Sequence, residues 1–401
     1  MHDVIVIGAG PAGNITALKL SNMGYRVATL DWRQNIGDKL CTGIIGLECV
    51  DRFPPDESLI YNEARAATIV SPAGKRYRIV RDDTQAFVID RVAYVNSMAE
   101  RAMEAGADYE LGPRVSNIEV SESGVVISTT GAGGQNNWQA EMVVIASGFG
   151  SPLLGMVGLR NERQSDYMIG YQAEVEVNEL EDTEIYLGEK IAPGSFGWLV
   201  PKSNSRALVG IVSQQKLNGQ MENFLDTLQQ SGRVRSVVEK PRQWGIPLKP
   251  PPKTYGDRVL VVGDAAGQVK PITGGGIYYA QLSGELAAEA ANEAFVAGDF
   301  GARKLKSYEK EWKAVIGKEL RIGYYARMMY ESLGDQQIER LLSEFMSEGV
   351  EDELINNREF SFDRHSGLIL NAIRHKRLGR VIRSFGPAVA PFLTRLVRSK
   401  L

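Results

Sequence analysis

A closely spaced set of small residues near the start of the chain could hold a pyrophosphate: Gly8-Ala9-Gly10-Pro11-Ala12-Gly13. The apolar run DVIVIG leads into this G-x-G-x-x-G segment and predicts a buried parallel strand; a helical pattern and a second strand follow it. We expect Gly8 to form the tight turn, Gly10 to let the backbone approach a pyrophosphate, and Gly13 to let helix and strand pack closely. Asp31, at the end of the second strand, is expected to accept hydrogen bonds from ribose hydroxyls. The pattern predicts a dinucleotide-binding βαβ unit.

A second candidate site lies much later in the chain, in the segment 256–277 (GDRVLVVGDAAGQVKPITGGGI). Its apolar run Val259–Val262 predicts a strand that carries Asp264 just beyond its carboxyl end, where ligands bind in open α/β sheets. The cluster Gly274–Gly276 opens a predicted helix, and its bare backbone amides suit a phosphate or the pyrimidine edge of a flavin. We expect Asp264 to reach ribityl or phosphate-side hydroxyls through water.

This second segment resembles a motif of known flavoproteins. Its G-D-A-A-G followed by P-x-x-G-x-G-I is similar to the second FAD signature of the p-hydroxybenzoate-hydroxylase-like flavoproteins. Phe87–Arg91 (FVIDR) and Val143–Gly148 (VVIASG) resemble two further elements of that superfamily. The resemblance implies FAD as the cofactor and places Arg91 at its phosphate side. The sequence contains no second nucleotide-binding motif, so we expect electrons from a transiently bound donor, reduced ferredoxin or NAD(P)H.

Two further motifs resemble those of the geranylgeranyl reductases, a family within that superfamily. The segment 36–46 (IGDKLCTGIIG) is similar to their K-x-C-G-G motif, with Thr42 at the position of the first family glycine, and SFGWLVPK is similar to Y-x-W-x-F-P. The resemblance implies FAD-dependent reduction of isolated C=C bonds in geranylgeranyl chains of a lipid or a prenyl diphosphate. It also implies these cofactor-binding residues: Gly8, Gly10, Ala12, Gly13, Asp31, Leu40, Cys41, Gly43, Arg91, Val115, Asp264, Gly275, Gly276 and Ile277.

The same resemblance implies a substrate slot and a candidate proton donor. The alternation of Phe196, Trp198 and Val200 predicts that their side chains share one face of a strand, which Pro201 ends. All four are implied to wall an apolar slot for an isoprenoid chain. Cys41, which the family places beside the flavin, is the candidate catalytic acid. Water or a tyrosine are the alternatives as acid, and a packing role is the competing interpretation of Cys41.

Other functions fit parts of this sequence. Flavin-dependent halogenases carry W-x-W-x-I-P, which FGWLVP matches as closely, and a hydroxylase of the same fold is a further alternative; the Cys41 segment favours the reductase. Pyridine nucleotide–disulfide oxidoreductases need C-x4-C, whereas Cys41 and Cys49 are spaced as C-x7-C. Two cysteines cannot supply the Fe–S cluster of an electron-transferring quinone oxidoreductase. A prenyl-lipid binder without catalysis is the remaining class.

These motifs predict an α/β fold, α+β overall. A Rossmann-like FAD-binding domain is interleaved with an antiparallel β-sheet substrate domain and followed by a helical C-terminal region. A hairpin is predicted around Ser71–Gly74. The predicted ranges are 1–60, 82–160 and 246–300 for the FAD-binding domain, 61–81 and 161–245 for the substrate domain, and 301–401 for the C-terminal region.

Composition limits the partners and the location. The chain has 401 residues, a formal net charge of −3 and two cysteines, which argues against a general affinity for nucleic acid and excludes a disulfide framework. No signal peptide or membrane-spanning stretch is recognised and no metal site is predicted, so we expect a cytoplasmic protein. The C-terminal segment is basic and amphipathic, which favours peripheral contact with the inner face of a membrane; a solvated cap is the alternative. Its basic residues are Arg374, Lys376, Arg377, Arg380, Arg383, Arg395, Arg398 and Lys400.

Overall fold

The computed structural model describes residues 1–159, 166–347, 349–350, 353 and 361–398. Its strands are β1 (His2–Ile7), β2 (Val27–Asp31), β3 (Ile44–Gly46), β4 (Ile60–Ala64), β5 (Ala66–Val70), β6 (Arg76–Val80), β7 (Ala86–Ile89), β8 (Asp108–Leu111), β9 (Arg114–Ser121), β10 (Gly124–Gly131), β11 (Gly134–Ile145), β12 (Tyr167–Val177), β13 (Thr183–Leu187), β14 (Phe196–Pro201), β15 (Arg206–Ser213), β16 (Val234–Val237), β17 (Arg242–Pro247), β18 (Tyr255–Gly256) and β19 (Val259–Val261).

The described α-helices follow the same chain order. They are α1 (Pro11–Asn22), α2 (Leu47–Arg52), α3 (Arg91–Glu104), α4 (Leu153–Met156), α5 (Gln220–Gln230), α6 (Ile277–Ala297), α7 (Ala302–Trp312), α8 (Lys318–Glu331), α9 (Asp335–Phe345), α10 (Ser366–Arg374), α11 (Lys376–Ser384) and α12 (Ala390–Arg398). A π-helical turn, Lys313–Gly317, joins α7 to α8, and a 3₁₀ turn, Gly263–Ala266, follows β19.

One structural unit comprises residues 1–39, 91–166 and 246–320. Its sheet has the strand order β18-β19-β11-β1-β2-β8, in which the strands from β19 to β8 are parallel and β18 is an antiparallel edge strand. The strand β1 is central and apolar, and α1 packs against α3 and α6. Because β1 and β19 are parallel, the two glycine motifs that follow them lie at the same edge of the sheet.

The other unit comprises residues 40–90, 167–245 and 321–401. Its main sheet has the order β16-β12-β15-β14-β13-β5-β6, with β17 also paired to β12. The helix α5 covers one face, where Phe224 and Leu199 are fully buried. A smaller sheet has the strand order β3-β7-β4, and its residues lie in the chain between the first two segments of the first unit, 1–39 and 91–166. Helices α8 to α12 contribute a separate apolar cluster.

The predicted fold class is confirmed, and so is the hairpin, which β5 and β6 form. The sheet of the second unit is not wholly antiparallel, however, because β5 pairs with β13 in parallel. The units also differ from the predicted ranges. Residues 40–60 and 82–90 belong to the second unit, since β3 and β4 both pair with β7, and residues 301–320 belong to the first, since α7 packs on α6. Residues 160–165 and 399–401 of the predicted ranges lie outside the described residues.

The apolar stripe of the basic C-terminal segment is buried. Leu378, Val381 and Ile382 are 1%, 8% and 4% exposed, and α11 packs on α9. This agrees with the alternative interpretation of a packed cap. What the segment presents to solvent is charge, from Arg374, Lys376, Arg377, Arg380 and Arg383. Among the helices described, none is long and apolar enough to cross a membrane. Lys400, counted above among the basic residues, is outside the described part of the chain.

Candidate functional site

The turn after β1 brings α1 against the strand. Gly8 has φ +117°, and a Cβ there would lie 2.3 Å from the carbonyl oxygen of Ala146. A Cβ on Gly13 would lie 1.8 Å from the oxygen of Gly8, so only glycine permits this contact. Around the Cβ position of Gly10, in contrast, no atom lies within 4 Å. The close packing is therefore confined to Gly8 and Gly13, and the space beside Gly10 is open.

The N-terminus of α1 has no capping side chain. The helix begins at Pro11 after Gly10, and its first turn, which includes the buried Ala12, carries no acidic residue. Asp31 lies at the end of β2 and is 8% exposed. Its carboxylate accepts hydrogen bonds from the amides of Ala9 and Arg33, both at 2.8 Å, so it fixes the glycine turn. A carboxylate has about four acceptor positions, which leaves capacity for the predicted ribose contact.

The second glycine motif also ends at an uncapped helix. Gly263, two residues beyond the end of β19, has φ +65°, and α6 begins at Ile277 with Gly276 as its N-cap and no capping side chain. The carboxylate of Asp264 forms an ion pair with Lys39. A Cβ on Gly276 would lie 3.2 Å from an oxygen of Asp264, and a Cβ on Gly275 would lie 3.0 Å from Cε of Lys270. The two charged side chains therefore border the glycine loop.

The loop after β2 is held by the start of α3. Arg91 is the first residue of that helix and donates to the carbonyl of Gly37, and the amide of Asn96 donates to the carbonyl of Ile36 at 3.1 Å. Val115, in β9, packs on the apolar core of the first unit. Arg91 thus bonds to the loop backbone, a contact that the sequence did not predict.

These features of the first unit fit FAD. Two uncapped helix N-termini present backbone amides that would suit phosphate oxygens or a flavin carbonyl, and the open space at Gly10 would allow close approach of a pyrophosphate. When bound, FAD supplies the redox chemistry that the side chains of this unit lack.

Within the second unit, the face of the main sheet opposite α5 carries the predicted aromatic residues. Trp198 lies opposite Gly210, which lies opposite Gln172, so these residues form a row across β14, β15 and β12. A Cβ on Gly210 would lie 2.3 Å from Cζ2 of Trp198, which shows that the indole lies directly against the backbone of β15. Trp198 is 7% exposed, and its Nε1 has no hydrogen-bond partner among the residues that the structure describes.

A second indole repeats this arrangement. The ring of Trp244, in β17, lies over Gly170 of β12, where a Cβ would be 2.8 Å from its Cζ2. It meets Trp198 edge to face, with 6.4 Å between ring centroids, and Phe196 lies 5.9 Å from Trp198 on the other side. We call Phe196, Trp198 and Trp244 the aromatic face. Trp244 was not predicted from the sequence; the signal that could have indicated it is Gly170, like Gly210, because an isolated glycine inside a strand indicates a close approach.

Two predicted wall residues behave differently. Val200 is buried and shares the face of Trp198, as expected from the two-residue period. Pro201 ends β14 as predicted but lies opposite Ala207, whose side chain belongs to the core under α5. Its assignment to the slot was wrong, because the side chain of the next residue along a strand points to the other face.

The loop that contains Cys41 is hydrogen-bonded to Gln172, which lies on the same face of the main sheet. Gln172 is 5% exposed; its amide accepts a hydrogen bond from Thr42 Oγ1 at 2.8 Å and donates to the carbonyl of Cys41 at 3.5 Å. Gly43 has φ +74°, and Leu40 and Cys41 are half-buried. Thr42, the departure from the family motif, therefore has a structural role. Because Gln172 lies in the same cross-strand row as Trp198, it connects the Cys41 loop to the strands that carry the aromatic face. The linear sequence does not reveal this connection.

Comparisons with known proteins show the family of this chain. A family model described as pyridine nucleotide-disulphide oxidoreductase matches residues 2–185, and one described as geranylgeranyl reductase catalytic domain matches residues 166–241. The chain is 31% identical over 358 residues to a digeranylgeranylglycerophospholipid reductase 2 of Methanothermobacter thermautotrophicus, covering 85% of this chain and 91% of that protein. The chain belongs to the geranylgeranyl reductase family.

Solved structures share the fold of this geranylgeranyl reductase family member. A geranylgeranyl bacteriochlorophyll reductase-like protein from Thermoplasma acidophilum superposes with a TM-score of 0.85 at 24% identity, over 96% of this chain and 99% of that one. A halogenase in complex with FAD gives a TM-score of 0.64 at 13% identity, over 98% and 96% of the two chains. Both likenesses concern the fold alone, so the halogenase match does not favour the halogenase alternative.

Membership in the family confirms two predictions: FAD is the cofactor, and the enzyme is a flavin-dependent oxidoreductase. The match to the pyridine nucleotide-disulphide model covers the first glycine motif but ends before the second one, at 263–276. It does not bring that class's redox disulfide with it, because Cys41 and Cys49 are both free.

Gly10→Val is expected to abolish FAD retention, because the added side chain would fill the open space that a pyrophosphate needs. The flavin-to-protein absorbance ratio after gel filtration measures this, together with the melting temperature. Gly133→Val, in the turn between β10 and β11, is the matched control, since its Cβ position is also free of neighbours. Stoichiometric FAD in folded Gly10→Val protein would contradict the assignment of this site.

Proposed function

We propose that this enzyme reduces isolated C=C bonds in geranylgeranyl chains carried by a lipid or a prenyl diphosphate. The proposal rests on one observation in the main sheet of the second unit. The cross-strand row that contains Trp198 of the aromatic face also contains Gln172, and Gln172 is hydrogen-bonded to Thr42 in the Cys41 loop. The curated relative is named for the same kind of substrate, a digeranylgeranylglycerophospholipid. A prenyl chain has no polar handle along its length, so an apolar surface must recognise it.

The aromatic face suits such a chain. Phe196, Trp198 and Val200 give a continuous apolar row on β14, and Trp244 of β17 contacts Trp198 from across β15 and β12. Leu187, opposite Phe196, packs on the cluster of C-terminal helices, which shields this end of the face from water. Because the two indoles pack closely against glycine backbone, their side chains are held in place, and little side-chain entropy is lost when a ligand covers them.

FAD supplies the hydride when it is bound, and its binding is proposed to involve the motif residues described above. These are Gly8, Gly10, Ala12, Gly13, Asp31, Leu40, Cys41, Gly43, Arg91, Val115, Asp264, Gly275, Gly276 and Ile277. Of these, Gly10 leaves room, the starts of α1 and α6 donate amides, and Arg91 and Asp31 hold the neighbouring backbone in place. Water exclusion and precise positioning matter here because an unactivated alkene has no carbonyl to stabilise charge.

The second carbon of the alkene needs a proton, and the Cys41 thiol is the proposed donor. Its loop is fixed at the backbone by Gln172 and at the side chain of Thr42, so the thiol is held on a defined stretch of chain. Cys41 is a free, half-buried cysteine. Solvent would then restore the proton to Cys41 after each turnover.

Contact with a membrane is proposed from the charge of the C-terminal helices. The exposed arginines and lysine of α10 and α11 suit an anionic surface, at about 1 kcal/mol per basic residue near a membrane. We place the enzyme in the cytoplasm, at the inner face of the membrane that holds its lipid substrate. Reduced ferredoxin or NAD(P)H is the proposed electron donor.

Co-expression with a pathway that makes geranylgeranyl lipids tests the function directly. We expect lipid extracts to gain mass in steps of two hydrogens, and the gain to be absent with Gly10→Val. Unchanged lipids in cells that contain FAD-loaded enzyme and an active electron donor would refute the proposed reaction.

Trp198→Ala is expected to weaken prenyl binding by roughly 1–3 kcal/mol, since it removes apolar contact surface, while FAD occupancy and reduction by dithionite stay normal. Affinity is measured with geranylgeranyl diphosphate, beside melting temperature. Leu199→Ala, on the opposite face of β14, is the control and should instead lose about 2–5 kcal/mol of stability. If Trp198→Ala lost stability at unchanged affinity, the residue would be ordinary core.

Cys41→Ala is expected to keep FAD and to slow the single-turnover reoxidation of reduced enzyme by substrate by roughly 10²-fold, the usual scale for loss of a general acid. Stopped-flow absorbance of the flavin gives the rate. Cys49→Ala, which removes the buried thiol of α2, should leave that rate unchanged. An unaltered rate in Cys41→Ala would leave Cys41 only a packing role.

A further inference from the structure

The sheet face that carries the indoles becomes charged at one end, beyond Val200. In the cross-strand row of Val200, its partner in β15 is Leu208, and the partner of Leu208 in β12 is Glu174. In the next row on this face, Arg206 of β15 lies opposite Glu176 of β12. Because residues two apart on a strand share a face, these charged side chains lie on the same side of the sheet as the indoles.

Lys202, the first residue after β14, reaches the same side of the sheet. Its ammonium group donates to a carboxylate oxygen of Glu174 at 2.9 Å and lies 5.5 Å from the ring centroid of Tyr61 in β4. The lysine is therefore held between two neighbouring side chains. We call the four charged residues the charged end of the face: Glu174, Glu176, Lys202 and Arg206.

The guanidinium group of Arg206 is held less tightly. Its nitrogens lie 3.7 Å from a carboxylate oxygen of Glu174 and 3.6 Å from one of Glu176, and both distances are too long for a hydrogen bond. Within the part of the chain that the structure describes, this guanidinium donates no hydrogen bond, and 37% of the side chain is exposed. Arg206 can therefore direct its donors to a ligand.

The two ends of the face differ in their access to water. The side chain of Lys202 is 31% exposed, and that of Arg206 is exposed to a similar extent. At the other end, directly before Phe196, the hydroxyl of Tyr330 in α8 donates to the carbonyl of Ser195 at 3.1 Å. Burying an uncompensated charge is costly. An amphiphilic ligand on this face is therefore expected to keep its charged head at Lys202 and Arg206 and its apolar tail near Phe196.

We propose that Arg206, assisted by Lys202, binds a phosphate group at the head of the prenyl substrate, and that the chain runs from there along the face towards Phe196. A planar guanidinium matches two phosphate oxygens with parallel hydrogen bonds, and a lysine adds a point charge. The phosphate competes for these cations with two carboxylates, and it carries more charge and more acceptor oxygens than either. The inference rests on the proposed function and gives its substrate a phosphate-bearing head and a direction.

The test is equilibrium binding of two ligands that share one chain, geranylgeranyl diphosphate and geranylgeraniol, to the purified flavoprotein, measured by tryptophan fluorescence. We expect Arg206→Met to weaken binding of the diphosphate about tenfold and to leave binding of the alcohol unchanged. Lys202→Met should act in the same direction but less strongly, whereas Trp198→Ala should weaken both ligands alike. Arg78→Met is the control, since Arg78 is an exposed arginine of the same sheet, paired with Asp182. Its affinities should not change.

A third ligand, a digeranylgeranylglycerophospholipid in detergent, identifies the source of the phosphate. If Arg206→Met weakens binding of this lipid, the site accepts a lipid phosphate; if it weakens only the diphosphate, the site accepts a prenyl diphosphate. Equal weakening of diphosphate and alcohol, or unchanged binding of both phosphorylated ligands, would overturn the proposal. If Arg206→Met does not fold, the same comparison is made between Arg206→Gln and Arg206→Lys. A phosphate-selective loss of affinity, in an enzyme that reduces no lipid in co-expressing cells, would refute the proposed function and leave the head-group site intact.

Discussion

The direct contact of α1 with the turn after β1 is the constraint on which the first unit depends. Gly13 and Gly8 meet with no room for a side chain, and on the far side of the helix Gly284 of α6 approaches the carbonyl of Ala12, where a Cβ would lie 2.4 Å away. The hydroxyl of Thr16 donates to the carbonyls of both Ala12 and Gly284, at 2.8 and 3.1 Å. Strand, α1 and α6 are thus locked together, and the two helix N-termini proposed to bind FAD are fixed by one stack of small residues.

Glycine has a different role in the second unit. In the first unit glycine lets backbone approach backbone, whereas Gly170 and Gly210 let indole rings lie on strands. Glycine inside a strand costs stability, because it loses more conformational freedom on folding than other residues do. The large apolar area of Trp198 and Trp244 offsets that cost, and the result is a rigid apolar surface on a sheet whose other face is closed by α5.

The sequence was most informative where the determining residues are neighbours in the chain. The roles of Gly8 and Gly13 in the turn, the start of α6 and the alternation of Phe196 and Trp198 all follow from local spacing. Contacts across strands were not predictable, because register depends on pairing between distant segments. Gln172 is 130 residues from Thr42, and nothing near either residue indicates their hydrogen bond. The error at Pro201 arose from treating a family motif as one surface when its residues alternate between two.

Each unit is made of three stretches of chain separated by parts of the other. The parallel sheet of the first unit needs β19, at 259–261, beside β11, and its helix α6 ends at Ala297. Neither unit can therefore close its core until most of the chain has left the ribosome. Many contacts join residues far apart in sequence, which slows folding and leaves apolar strands exposed for longer. We therefore expect the nascent N-terminal strands to wait longer for their partners than they would in a chain of two consecutive domains.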